Sequence, residues 1–570
     1  MKRMKLLMVL LCSICTISVD AQTVDPMVRA KYHQSAPYNN SCPDGTVTGC
    51  GPLAIAQILN MYKLPAHGYG MVSYTSGGYN ITANLGNMTF DWDNILDEYR
   101  SGAYSDTQAK AVADLIYACG AAMYATYGTS TSIGNYARML YGLQHYLHFS
   151  VESRYLRRTF YSTAEWIEML NSQLRGGHPV FYRGTWFFND SRSDHMFVID
   201  GIDSHGAYHV NFGHGGNGDK FADINVINQS GTHPGGRGVC YNASQAMVIN
   251  CYPTPDYEDY PLQRCVSEEY IILNNDMTEN NATVSLGETF TLSCRLRNCS
   301  AEKATINYGW ALVKDGRFID IVGQRTYGLS AGNQFTDTRH LNVSLPRNLS
   351  DGTYKLELYS KSDLEPEWAK VWACAPTDVD VSVNNGSAVI TIPDNHQLDP
   401  MLYLGEDIKE VDNEFANTVS GRSFALAINN PSINNFENVL RLEIVADNQT
   451  YSYETTLPVF SQTSTEFHIL VPQEMVDLQG KNITSVKASY YYDLEKRYVE
   501  MTTTMPSSIE TLTTVSGSSP ADIYIYSVDG IFVRKVKSHE INGLYSSLLE
   551  ELPHGIYIVK EGKKTRKIVL

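Results

Sequence analysis

Apolar positions along this chain change their period as it proceeds. After the turn at Gly49-Cys50-Gly51-Pro52 they recur at i, i+3, i+4 and i+7 (Ile55, Ile58, Leu59, Tyr62), the spacing of one buried helical face. Residues 107–122 and 162–174 also read as helices. In the second, Ser162 stands three residues before Glu165, the spacing of a capping box. The period then falls to two. Residues 178–182, 195–199 and 207–212 read as strands, and the turn-forming residues 200–206 predict an antiparallel hairpin between the last two. Helices followed by an antiparallel sheet predict an α+β domain over 22–255.

Past the Pro- and acid-rich stretch 253–261 the helical period is gone. Short alternating runs such as 287–293 and 353–359 predict β-sandwich modules, one over 256–385 and a second over 386–510. A Ser/Thr-rich linker opens the last segment, 511–570, whose runs at 522–530, 555–560 and 567–570 read as strands. At the other end, Lys2, Arg3 and Lys5 precede an apolar run at 6–19 and a small-residue cleavage point after Ala21, which predicts a secretory signal peptide over 1–21. No later run reaches the roughly 18 apolar residues of a membrane span, so no transmembrane segment is expected. The length of 570 residues fits about three to four domains, and the formal charge of −17 argues against nucleic acid as a partner.

The candidate chemistry centres on Cys50. A thiol at a helix N-terminus faces unpaired backbone N–H groups and the positive end of the helix dipole, and both favour the nucleophilic thiolate. A buried or disulfide-bonded cysteine is the competing reading. Eleven cysteines fall to nine once Cys12 and Cys15 leave with the signal, and an odd count leaves room for one unpaired thiol; Cys119 in the second helix is as eligible as Cys50. A cysteine nucleophile needs a histidine partner and oxyanion donors. His195 opens an apolar strand after a polar stretch, where it either projects into a cleft or caps the strand. Asn211 ends the next strand, where it either reaches a ring nitrogen of His195 or starts the Gly-rich turn 213–218.

Cys50 in Thr-Gly-Cys-x-x-x-Ala-x-Ala-Gln, preceded by Pro37-Tyr38-Asn39, resembles the streptopain family of secreted papain-like cysteine peptidases. The family's Gly-His-Ala-Phe-Val-x-Asp-Gly block is similar to residues 194–201, and its Asn-Trp-Gly-Trp-Gly-Gly block to residues 211–216. The resemblance runs over about 25–250. It implies a papain-like fold with catalytic Cys50 and His195, an oxyanion donor at Gln34, and Asn211 orienting the histidine. It also implies protein or peptide substrates, contacts at Thr131, Ser132, Asp194 and Phe212, and no metal or organic cofactor. There are departures: Phe212 and His214 replace two tryptophans, and Asp194 replaces a glycine, where its carboxylate is expected to stabilise the His195 imidazolium. Only about thirty residues separate the signal peptide from Cys50, where the family usually carries a prodomain. The tail resembles the sorting domain of type IX secretion, implying that machinery as a partner and a secreted or outer-surface location. Two other readings fit the residues: an inactive surface adhesin on the same fold, and a Cys/His peptidoglycan amidase.

Overall fold

The computed structural model describes residues 23–188, 191–229, 239–255, 265–300, 302–396, 400–413, 419–492 and 496–503, and four short strands between 523 and 569. The expected signal peptide and the linker of the tail lie outside the described residues. The N-terminal domain begins with α1 (Cys50–Tyr62), whose Ile55, Ala56, Ile58 and Leu59 are wholly buried. Gly49 precedes it at φ +83°, and a Cβ there would lie 2.8 Å from Thr131 Cγ2, so both angle and space demand glycine. The hairpin β1 (Met71–Ser76) and β2 (Tyr79–Asn84) follows, then α2 (Asp106–Ala122) and α3 (Tyr136–Leu147). Ser105 and Gln108 form a capping box on α2.

A six-stranded antiparallel sheet makes the other half of the domain. Its strands are β3 (Arg154–Arg157), β4 (Val180–Phe188), β5 (Ser191–Ile202), β6 (Tyr208–Asn211), β7 (Lys220–Ala222) and β8 (Ala243–Ile249), in the order β3-β8-β4-β5-β6-β7. Between β3 and β4 lies α4 (Thr163–Arg175), with both hydrogen bonds of the Ser162–Glu165 box formed. Strand alternation divides the sheet's side chains between two cores. Val180, Tyr182, Phe197 and Ile199 pack with Trp166, Leu170 and Leu174 of α4. Phe181, Met196 and Val198 face the other way, into the core built on α1, α2 and α3. Burying each such side chain contributes about 1.5–3 kcal/mol, and the two-sided burial explains the continuous apolar runs at 180–182 of β4 and 196–199 of β5. The expected α+β domain is present.

Two β-sandwiches follow, each with its own core: one over strands between Cys265 and Thr391, one between Tyr403 and Glu500. The first ends beyond the expected boundary at 385, because strand Ser387–Thr391 pairs with both Asn281–Ser285 and Val379–Asn384. Both sandwiches contain the same corner. The Asn298 amide donates to the carbonyls of Glu302 and Leu329 while its oxygen accepts from Ser300; Asn430 does the same with Asn434, Val459 and Ser432. The repeated Asn-x-Ser corner identifies the second sandwich more plainly than its strand pattern does.

Neither sandwich hangs free of the first domain. Val266, Trp372, Cys374 and Ala375 of the first complete the core around α1. In the second, the Asn435 amide donates to the carbonyls of Arg158, Thr159 and Tyr161, Ser461 Oγ accepts from Thr163 N–H at 2.8 Å, and Phe460 lies 3.5 Å beneath the fully buried Arg158 guanidinium. The strands at Ile523–Ser527, Phe532–Val536, Ile556–Glu561 and Lys564–Val569 form a separate four-stranded antiparallel sheet.

Candidate active site

Cys50 is the first residue of α1, and it alone among the cysteines at 42, 50, 119, 240, 251, 265, 294, 299 and 374 is not buried. Its thiol lies within reach of the backbone N–H groups of Gly51 and Met196, so β5 brings His195 and its neighbours to the helix N-terminus. Gln34 arrives by a backbone link: its carbonyl accepts from Thr48 N–H at 3.2 Å, which places it, half-buried, beside the turn into Cys50. The backbone at Gln34 and the strand that carries His195 are thus both brought to the start of α1.

His195 is 5% exposed. Its Nε2 is 2.9 Å from the Phe212 carbonyl, which can only accept, so Nε2 carries the proton and Nδ1 the lone pair. The ring sits among aromatics: Tyr241 and His214 have centroids 5.0 Å away, Phe197 5.9 Å and Phe212 6.3 Å. This apolar cage disfavours the imidazolium, and with His214 as a like-charged neighbour it holds the His195 pKa down at about 4 against the pull of the Phe212 carbonyl. Burial likewise pushes the Cys50 thiol above its ordinary value, outweighing the backbone N–H groups that favour thiolate. Burial thus favours the neutral form of each group taken by itself. The backbone N–H groups at the helix start favour the thiolate as expected, and burial opposes them more strongly.

Asn211 does not orient the histidine. In the β5–β6 register it opposes Val198, three residues from His195 and so on the other face of the strand. Its side chain donates to the Ala30 carbonyl at 2.9 Å and accepts from Gly213 N–H at 3.0 Å. It fastens the turn whose preceding residue, Phe212, presents the carbonyl to His195. Asp194 does not pair with His195 either. Its carboxylate takes Arg183 at 3.0 Å, Thr185 Oγ1 at 2.5 Å and Arg192 Nε at 3.1 Å, and these partners hold its pKa below the usual range despite the opposing effect of burial. The expected imidazolium partner is therefore already neutralised by arginine.

The expected substrate contacts divide. Ser132 is exposed. Thr131 is nearly buried, its hydroxyl committed to the Val47 carbonyl at 2.6 Å and its methyl packed on Gly49. The Phe212 side chain is fully buried, so only its carbonyl serves the site. Sequence reasoning missed Tyr241, Arg183 and Thr185. The β4–β5 register sets Arg183 opposite Met196 and Gly184 opposite His195, and a Cβ at Gly184 would lie 2.2 Å from the Tyr241 carbonyl. The strand signal at 178–182 was available for β4; nothing local marks Tyr241, which arrives just before β8 from far along the chain. Among the described residues no group of three or more His, Cys, Asp or Glu side chains is arranged to hold a metal ion.

A cysteine at the start of a buried helix, with the histidine-bearing strand of an antiparallel sheet brought to that helix's N-terminus, is the arrangement expected of a papain-like cysteine peptidase. Residues 32–221, all within the N-terminal domain, match the family described as Peptidase C10. It is similar to streptopain of Streptococcus pyogenes, 28% identical over 244 residues that make up 39% of this chain and 60% of that protein. The chain thus spans less than two thirds of the length of the streptopain relatives it matches. It is 22% identical over 369 residues to the thiol protease/hemagglutinin PrtT of Porphyromonas gingivalis, covering 61% of this chain and 39% of that one. It is also 33% identical to the interpain A cysteine protease of Prevotella intermedia, covering 41% of this chain and 96% of that structure, with a TM-score of 0.37.

Proposed function

We propose that this chain is a cysteine endopeptidase that hydrolyses peptide bonds in proteins. The observation that carries the reading is the meeting of the Cys50 thiol, at the α1 N-terminus, with the segment that bears His195, whose Nε2 is anchored on the Phe212 carbonyl. That anchor leaves Nδ1 as the base. It takes the Cys50 proton as Sγ attacks the scissile carbonyl, and returns it to the leaving amine. The backbone N–H of Cys50 and the Gln34 side-chain amide stabilise the oxyanion. Because burial favours the neutral form of each group, the thiolate–imidazolium form arises as substrate and water enter the cage and lift the desolvation penalty. Ser132 and the rim at Asp194 meet the substrate chain.

Export belongs to the same reading. The signal segment at 1–21 and the tail from 511 direct the chain out of the cell, the tail through the type IX machinery. No helix among the described residues is long and apolar enough to cross a membrane.

The test is intact mass after treatment with an epoxysuccinyl thiol inhibitor, together with hydrolysis of an unfolded protein. One adduct is expected, absent in Cys50→Ala and strongly reduced in His195→Ala, with activity lost in both. Folded protein that takes no adduct would overturn the reading and favour a binding role.

A further inference from the structure

His214 sits where a second imidazole is not needed for peptide hydrolysis, yet it lies directly on the catalytic one. Its ring is stacked on His195 with centroids 5.0 Å apart and planes 24° from parallel. Its orientation is held: the Gln229 side-chain amide donates to His214 Nδ1, and the loop that carries it is pinned to the N-terminal segment by the Gly215 N–H on the Tyr32 carbonyl at 2.8 Å. An amide nitrogen can only donate, so Nδ1 is unprotonated and the ring is a neutral aromatic plate in this arrangement. The charged or titratable groups facing it are His195 on β5 and His33 on the N-terminal segment. Nearby, the Lys31 stem crosses Gly216, and Asp219 accepts from Phe212 N–H on the far side of the turn.

We propose that His214 is a positioning residue for His195 and the charge sensor of the site: neutral, it holds and covers the catalytic imidazole; protonated, it suppresses the imidazolium. The inference rests on the catalytic reading above and adds a regulator to it. Thiol plus imidazole and thiolate plus imidazolium contain the same number of protons, so pH does not by itself choose between them; a neighbouring charge does. A proton on His214 places a positive charge against the positive end of the ion pair and breaks the bond from Gln229. The reactive form is then depleted while Cys50 and His195 still hold their shared proton. Burial and His33 both lower the His214 pKa, which keeps the plate neutral near neutral pH and confines the suppression to acid conditions.

Two readouts test this on the full chain. In a Cys50→Ala background, NMR titration of the ring protons is expected to show His195 titrating at least about half a pH unit higher in His214→Phe than with His214 present, since a like charge about 5 Å away is removed. An unchanged midpoint overturns the proposal, and this readout holds whether or not Cys50 is reactive. With Cys50 present, the rate of carbamidomethylation by iodoacetamide is followed from pH 4 to 8. With each rate referred to the same protein's rate at pH 8, His214→Phe is expected to retain near pH 5 a fraction about fivefold or more larger than the unaltered protein does. His214→Ala is expected to lose rate at neutral pH without losing its fold. Equal rates in the Phe and Ala variants, or an acid limb that does not move, overturn it. A thiol unreactive at every pH, with the His195 midpoint still shifted, sinks the peptidase reading and leaves the coupling between the two rings standing.

Discussion

Asn211 and Phe212 are neighbours with exchanged duties. The amide serves the fold and the carbonyl of the next residue serves His195. Removing the amide strands the buried Ala30 carbonyl and the Gly213 N–H, so Asn211→Ala is expected to lower stability by about 1–3 kcal/mol. A thermal or urea melt checks this. At a temperature where the variant is folded, its Cys50 labelling rate should stay within a few-fold of the unaltered protein. A large rate loss with no loss of stability would return Asn211 to the catalytic set. His195 itself makes a pH prediction. Its folded pKa of about 4 lies below the ordinary value of 6.5. On acidification the unfolded chain therefore binds a proton that the folded chain refuses, so this group's contribution to stability is present above about pH 6.5 and is lost as pH falls toward 4. His195→Gln should flatten that part of the stability curve.

At the scale of elements, the start of α4 is where sequence and tertiary structure meet. The Ser162–Glu165 box was legible in the spacing, yet Glu165 has a second partner no local pattern announces: His396 Nε2, in the segment between the two sandwiches, 3.3 Å away, whose Nδ1 is 2.9 Å from the Ile433 carbonyl. The bond from His396 and those from Ser162 hold the Glu165 carboxyl at about 2 in spite of partial burial. The pKa is depressed, so the associated stability is present above the unfolded carboxylate range, near 4.3, and is lost as pH falls through about 2. Glu165→Gln is expected to make acid unfolding shallower across that window, as followed by circular dichroism. Ser162→Ala is expected to cost about 1 kcal/mol at neutral pH. The strands show the same division: β4, β5 and β6 could be placed from their apolar alternation, but the register that turns Asn211 away from His195 depends on where the hairpin closes, with a bulge between Ile199 and Gly201.

For the whole molecule, the decisive feature is that the domains share interiors. Trp372 of the first sandwich is 6% exposed, lies in the core around α1, and carries the Arg154 guanidinium 4.7 Å over its ring. Trp372→Ala in the full chain is expected to cost about 3–5 kcal/mol. It should lower the melting temperature of the peptidase domain together with that of the first sandwich; a calorimetric trace in which only the sandwich transition moves would show that the two fold independently. Asn435 and Ser461 tie the second sandwich to the chain that enters α4, so both modules brace the scaffold that carries β5 and His195.

The sequence by itself determined the candidate nucleophile, the helix it opens, the α+β character of the first domain and the presence of β-modules, because each rests on local periodicity, turn chemistry or a short motif. Tertiary structure decided what those residues do to one another. The carbonyl that holds His195, the Tyr241 ring in its aromatic cage and the sandwich residues in the peptidase core come from positions far apart in the chain, and Arg183 joins Arg192 on Asp194 only through the β4–β5 pairing. Burial and strand register exist only once the sheet has closed, and those two quantities set the protonation state of the site.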